Sequence, residues 1–174
     1  MRTTIKIVIL LFFICTSMSG TSSPDMEKYM RQHALIWEQL PMQWNEGAFL
    51  GNGLVGMMVY ADSTLNALVF HLGRPDVTDH RKAPYRKTSI GTEEADKMVD
   101  FCRLDIGKML LFPEGKILSG TFYLDIYNAE LTGHLKTDKG DLTFHAYTPQ
   151  PEEVNIVEVS SGIPYRWKGI PGNP

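Results

Sequence analysis

The sequence is short of most features that would name a chemistry. It holds two cysteines in 174 residues, Cys15 and Cys102. That excludes any C-x-x-C metal or redox motif, and no internal disulfide framework is expected once a signal holding Cys15 is removed. The five histidines (His33, His71, His80, His134 and His145) are scattered, with no H-x-H and no H-E-x-x-H. No strong metal-ligand spacing is therefore present, and no metal or cofactor is expected. There is no G-x-S-x-G elbow and no P-loop. An excess of one charge is missing too. The chain has 17 basic and 20 acidic residues, a formal net charge of −3, with the two signs interspersed. Without a basic stripe, a nucleic-acid partner is excluded as a first reading. What remains is 43% hydrophobic and 21% charged, the composition of a folded globular chain.

Long apolar runs are also scarce. The longest, residues 7–14, follows Arg2 and Lys6 and precedes a small, polar stretch ending in Ser22-Ser23-Pro24-Asp25. It is far shorter than the roughly 20 residues that cross a bilayer, so no membrane span is expected. A charged start, an apolar middle and a small-residue zone predict a signal peptide over 1–23, cut between Ser17 and Ser23. An N-terminal anchor or a buried strand are the alternatives. The expected location is periplasmic or secreted. Cys15 offers a lipid attachment point, but Phe12-Phe13-Ile14 are bulky where such a site takes small residues. Removal of the signal takes Arg2 and Lys6 and leaves Cys102, which reads as a buried apolar residue.

Residues 24–174 read as a mainly β domain. Asp25 opens a lead-in with a single helical turn. Residues 34–46 include an extended piece. Residues 54–60 and 65–72 are predicted strands joined by the turn at 61–64. Residues 73–91 form a long polar loop without periodicity, of a length that is usually functional. A helix is predicted over 92–104. Thr92 caps it, and Ala95, Met98, Val99 and Cys102 share a face. Residues 105–113 fit either a helix extension or a strand. Strands follow at 117–127, 129–136, 142–148 and 153–159, with a tight Gly140 turn before the third. In 142–148, Leu142, Phe144 and Ala146 alternate cleanly with Thr143, His145 and Tyr147. About seven short strands predict an antiparallel β-sandwich with one inserted helix near 92–104. Residues 163–174 hold three prolines. They suggest no closing element, and the chain is expected to be the front portion of something longer.

Two constellations carry the chemistry that is left. Trp37 and Trp44, with Gln43, Asn45 and Glu46, have the makings of an aromatic lip that stacks a sugar ring and bonds its hydroxyls. The competing reading is that both indoles cover the core. In the polar loop, Asp76, Asp79 and His80 offer carboxylates for glycoside acid/base work or a metal site. A solvated loop with local Asx turns is the competing reading there. Gly51-Asn52-Gly53-Leu54-Val55-Gly56 matches G-x-G-x-x-G but runs into a strand-like Met-Met-Val-Tyr, which discounts nucleotide binding.

Trp37, Leu40-Pro41 and the run from Leu50-Gly51-Asn52-Gly53 to Met57-Met58-Val59-Tyr60 resemble the opening of the N-terminal β-supersandwich of family 95 glycoside hydrolases. These are inverting enzymes of α-L-fucosidase and α-galactosidase type; a related bacterial family sharing that domain is the other possibility. The likeness covers residues 37–72 by motif and 117–159 by architecture only. Residues 42–50 lengthen the family spacing, and residues 73–80 replace the family's Asn-Glu-Asp-Thr-Leu-Trp-type run. The resemblance implies glycosidic-bond hydrolysis with inversion, by two carboxyl groups and no cofactor. In the family the catalytic groups lie in a later helical barrel, so no catalytic residue carries over to this chain.

The expected function is thus that of an exported N-terminal sandwich, packing on a helical barrel and lending residues to the rim of a glycan site. Its rim candidates are Trp37, Trp44, Asn45, Glu46, Asp76, Asp79 and His80. The partner is a glycan, and the chain alone is expected to be inactive. The alternatives are a stand-alone carbohydrate-binding sandwich and an inactive truncated remnant.

Overall fold

A computed structural model describes residues 25–78 and 103–172. The lead-in is a short helix, α1 (Met26–Arg31), started by Asp25, whose Oδ1 accepts from the Lys28 amide at 3.2 Å. Ten strands follow among the described residues. They are β1 (Leu35–Trp37), β2 (Ala48–Gly51), β3 (Gly56–Asp62), β4 (Ala67–Gly73) and β5 (Gly107–Pro113), then β6 (Ile117–Asp125), β7 (Glu130–Thr137), β8 (Asp141–Tyr147), β9 (Ile156–Ser161) and β10 (Tyr165–Pro171).

The strands make two five-stranded antiparallel sheets, in the orders β1-β6-β7-β8-β9 and β10-β5-β4-β3-β2. This is the predicted sandwich. The two-residue period of a strand decides which side chains enter it. In β8, Leu142, Phe144 and Ala146 are buried while Asp141 and Thr143 are exposed. In β7, Leu131 and Leu135 point inward between exposed Thr132, His134 and Lys136. From the other sheet come Leu50, Met57, Val59, Leu68, Phe70 and Leu111. The two sets meet at Phe70 and Phe144, whose rings lie edge-to-face with centroids 5.4 Å apart.

The register explains one glycine. Gly133 of β7 stands directly between Phe122 of β6 and Phe144 of β8. Any Cβ there would enter the Phe144 ring. With the hydrogen in its place, the rings of Phe122 and Phe144 lean together at 5.5 Å.

β4 has a different pattern, four consecutive buried residues from Ala67 to Phe70. Leu68 and Phe70 face the sandwich core, whereas Ala67 and Val69 join Leu110 in a second cluster flanked by Tyr60 and Phe112. A strand buried on both sides reads as a continuous apolar run, which is why residues 65–72 show no alternation.

The structure departs from the expectations at several points. Of residues 105–113, Gly107–Pro113 form β5, the strand alternative. The helix expected at 92–104 lies outside the described residues except at its end, where Arg103 forms a bridge with Thr78. The signal at 1–23 also lies outside them. β2 forms in residues 48–51, for which the sequence pattern predicts no strand. β9 begins at Ile156, three residues after the start of the strand predicted over 153–159, and ends at Ser161. Residues 163–174, where the prolines suggest no closing element, contain β10, which pairs with β5 over seven residue pairs. Pro164 precedes the strand and Pro171 ends it, and β10 is an edge strand, where proline is tolerated. Among the described residues, no helix is long and apolar enough to cross a membrane.

Candidate functional site

The Gly-Asn-Gly segment turns β2 into β3. Asn52 Oδ1 accepts from the amides of Leu54 and Val55 at 3.0 and 3.1 Å, an Asx turn. Gly53 takes φ of 90°, where a side chain is disfavoured. The other half of the carboxamide reaches the opposite sheet's connection: Asn52 Nδ2 donates to the carbonyls of Pro149 and Glu152. Gln150 Nε2 returns a bond to the Asn52 carbonyl at 2.6 Å. This end of the sandwich is therefore tied across the two sheets.

Beside the turn lies an open cleft of about 790 Å³. Val55 and Leu72 give it apolar walls, and Gly53, Gly56 and Gly73 keep it wide. Trp44, His71, Arg74, Arg103 and Asp105 bring the chemistry. The volume lies within the few hundred to a thousand Å³ usual for small-ligand sites.

The two tryptophans part company. Trp37 leaves β1 to pack on the core, 6.5 Å edge-to-face from Phe122, and its Nε1 donates to the Glu46 carbonyl at 2.9 Å. Trp44 opens a single 3-10 turn, Trp44–Glu46, and is 61% exposed on the cleft wall. Asn45 and Glu46 share that turn and are exposed, but they do not line the cleft.

The charged groups are mostly bound to one another. Arg74 Nε and one terminal nitrogen grip both oxygens of Asp76 at 2.9 Å, and the other nitrogen reaches Glu153 at 2.6 Å. Bonding to Asp76 first, and then to Glu153, raises the Arg74 pKa further above its usual range. The same contact holds the Asp76 carboxyl below the usual carboxylate value. Asp76 thus stands behind Arg74 and not on the cleft lining. Asp79 and His80 lie outside the described residues.

Across the cleft, His71 of β4 meets Asp105, just before β5, with Nε2 to Oδ1 at 2.9 Å. The Gly107 amide donates to the same oxygen. Partial desolvation pushes the Asp105 carboxyl up, but the Gly107 amide and His71 outweigh it and leave the pKa lowered. Among the described residues, no three of His, Cys, Asp and Glu converge as metal ligands.

Four cleft residues escaped the sequence reading: His71, Arg74, Arg103 and Asp105. A signal existed for two of them. His71 interrupts the apolar strand Val69-Phe70-His71-Leu72, and Asp105-x-Gly107 is an Asx-turn pattern facing it. No protein-family model matches the chain, and no curated protein matches it.

Proposed function

We propose that the chain is a glycan-holding β-sandwich of an exported, glycoside-hydrolase-like protein, and that the cleft beside the Gly-Asn-Gly turn is its sugar site. The observation that carries the proposal is Trp44. A large indole is left mostly in solvent on the wall of a cleft that also presents charged, hydrogen-bonding groups. An aromatic face with a few placed polar groups suits a sugar ring, apolar on its C–H face and polar at its rim. The motif likeness over residues 37–72 supports the same reading. In it, the sandwich supplies the rim of a glycan site, and bond cleavage belongs to a helical barrel outside this chain.

The carboxylate that lines the cleft, Asp105, and Asp76 behind Arg74 support binding without cleavage. An inverting mechanism needs one carboxyl kept protonated as general acid, with a raised pKa. Asp76 and Asp105 are both shifted the other way. The test is calorimetric titration of the purified chain with fucosylated and galactosylated oligosaccharides, alongside an assay on aryl fucosides and galactosides. Saturable binding that Trp44→Ala abolishes without unfolding, and no turnover, is the expected result. Binding indifferent to Trp44→Ala, or turnover at enzymatic rates, overturns the proposal.

One observation favours the stand-alone form of this reading, a carbohydrate-binding sandwich that needs no barrel. β10 supplies the second sheet with its fifth strand from within the chain. A chain that is monodisperse and cooperatively folded alone fits this form. A chain that aggregates until a helical partner is supplied fits the remnant instead.

A further inference from the structure

The cleft's hydrogen-bonding capacity is unevenly spent. Arg74 is held by two carboxylates, and His71 by one. Arg103 lines the same cleft and is exposed, yet its guanidinium makes no ion pair or hydrogen bond among the described residues. Its backbone is not loose. Arg103 bridges to Thr78, and the next amide, Leu104 N, donates to the Val77 carbonyl at 3.0 Å. A guanidinium stays charged at any physiological pH and offers a planar fork that matches a carboxylate or sulfate. Asp105 is spent on one side only. Oδ1 takes both the His71 and the Gly107 bonds, which leaves Oδ2 to accept from hydroxyls. The cleft therefore offers an aromatic face, a hydroxyl acceptor and a cation with no ion pair among the described residues.

We propose that the ligand of this cleft is an acidic sugar. Its ring stacks on Trp44, its hydroxyls donate to Asp105 Oδ2, and its carboxylate or sulfate is gripped by Arg103. The proposal rests on the sugar-binding reading above and adds the charge of the ligand to it. A neutral sugar would use the first two groups and leave Arg103 idle. A simple anion would use Arg103 and leave Trp44 without a partner. Only a ligand that is both a ring with hydroxyls and an anion uses all three.

The experiment titrates the full 174-residue chain with three probes of equal length: an oligogalacturonate, a sulfated galacto-oligosaccharide and a neutral galacto-oligosaccharide. A charge-assisted bond contributes enough to make at least one acidic probe bind about tenfold tighter or more than the neutral one. Comparing the two acidic arms shows which anion is taken. Arg103→Ala should remove the preference for the acidic probes over the neutral one, and Trp44→Ala should abolish binding of all three. Added salt should erode the preference, since an exposed pair is screened. Equal affinity for acidic and neutral probes overturns the acidic-sugar proposal and leaves the sugar site standing. So does a preference that survives Arg103→Ala. Binding to none of the probes overturns both.

Discussion

Asn52 holds Pro149. The side-chain amide of Asn52, in the turn between β2 and β3, donates to the Pro149 carbonyl at 2.8 Å across 97 positions of sequence. The same nitrogen serves Glu152, and the side-chain oxygen serves Leu54 and Val55. One residue thus shapes a turn in one sheet and fastens it to the connection between β8 and β9 of the other. The cleft is built against this turn, through Gly53 and Val55.

Replacing Asn52 should cost more than a turn residue normally does. Asn52→Ala leaves the Pro149 and Glu152 carbonyls without their donor and the turn amides without their acceptor. Each of these bonds is exposed or part-buried, and a lost bond of that kind costs about 0.5–1.5 kcal/mol, so the set together costs about 1–3 kcal/mol. Urea unfolding followed by circular dichroism should show a lower midpoint with an unchanged slope. Asn52→Asp keeps the acceptor and loses the donor, placing a carboxylate against two carbonyls, and should destabilise as well. A midpoint unmoved in both variants rules out the inter-sheet tie.

The two tryptophans should separate stability from binding. Trp37 is packed against the core and hydrogen-bonded, so Trp37→Ala should destabilise by about 2–4 kcal/mol, somewhat under a fully buried Trp. Trp44 is mostly solvated, so Trp44→Ala should leave the unfolding midpoint within experimental error while abolishing glycan binding. Paired denaturation and calorimetry on both variants check this. A large midpoint shift for Trp44→Ala would place that indole in the packing and remove it from the site.

Gly133→Ala should be among the most damaging small changes in the chain. The added methyl enters the Phe144 ring, which is itself fixed by Phe70 and Phe122. Overpacking of this kind costs about 1–3 kcal/mol, and the rigid ring offers little relief. Phe144→Leu in the same molecule should recover part of the loss, because a smaller side chain vacates the space. The double-mutant cycle measures the coupling directly. Strict additivity of the two changes would show that the glycine is there for another reason.

How much of this was legible in the sequence differs from element to element. β8 was readable because only one face of the strand is buried, so the two-residue period survives in Leu142, Phe144 and Ala146. β10 was not, because an edge strand tolerates the prolines that elsewhere argue against a strand. Asn52 was readable as a turn residue, but its bonds to Pro149 and Glu152 depend on the two sheets stacking. Trp37 and Trp44 look alike in sequence, each lying among polar residues. Only the pairing of Trp37 with Phe122 across β1 and β6 tells them apart. The cleft's charged residues come from β4, its exit and the approach to β5, and their meeting is a product of strand order.

The last prediction concerns acid. Asp125 closes β6 almost buried, at 7% exposure. Its Oδ1 accepts from the amides of Tyr127 and Asn128, and its Oδ2 from Arg31 at 2.9 Å and the Asn128 side chain. Burial pushes this carboxyl up, but the amides of Asn128 and Tyr127 and the Arg31 charge outweigh it, and the pKa ends lowered. A carboxyl whose folded pKa lies below its unfolded value of about 3.9 adds stability above that value and loses it as pH falls through the folded one. Asp76 and Asp105 are shifted in the same direction, so they act in the same window. The melting temperature should therefore begin to fall near pH 4 and keep falling below it. Asp125→Asn should lower the melting temperature at neutral pH and flatten the acid limb, because the titrating group has gone. Asp76→Asn should change little, since its pair with Arg74 is exposed and such pairs are weak. Melting curves of the three proteins between about pH 2 and pH 7 decide the matter. If the Asp125→Asn profile keeps the full acid slope, the Arg31–Asp125 junction does not carry the acid sensitivity of the fold.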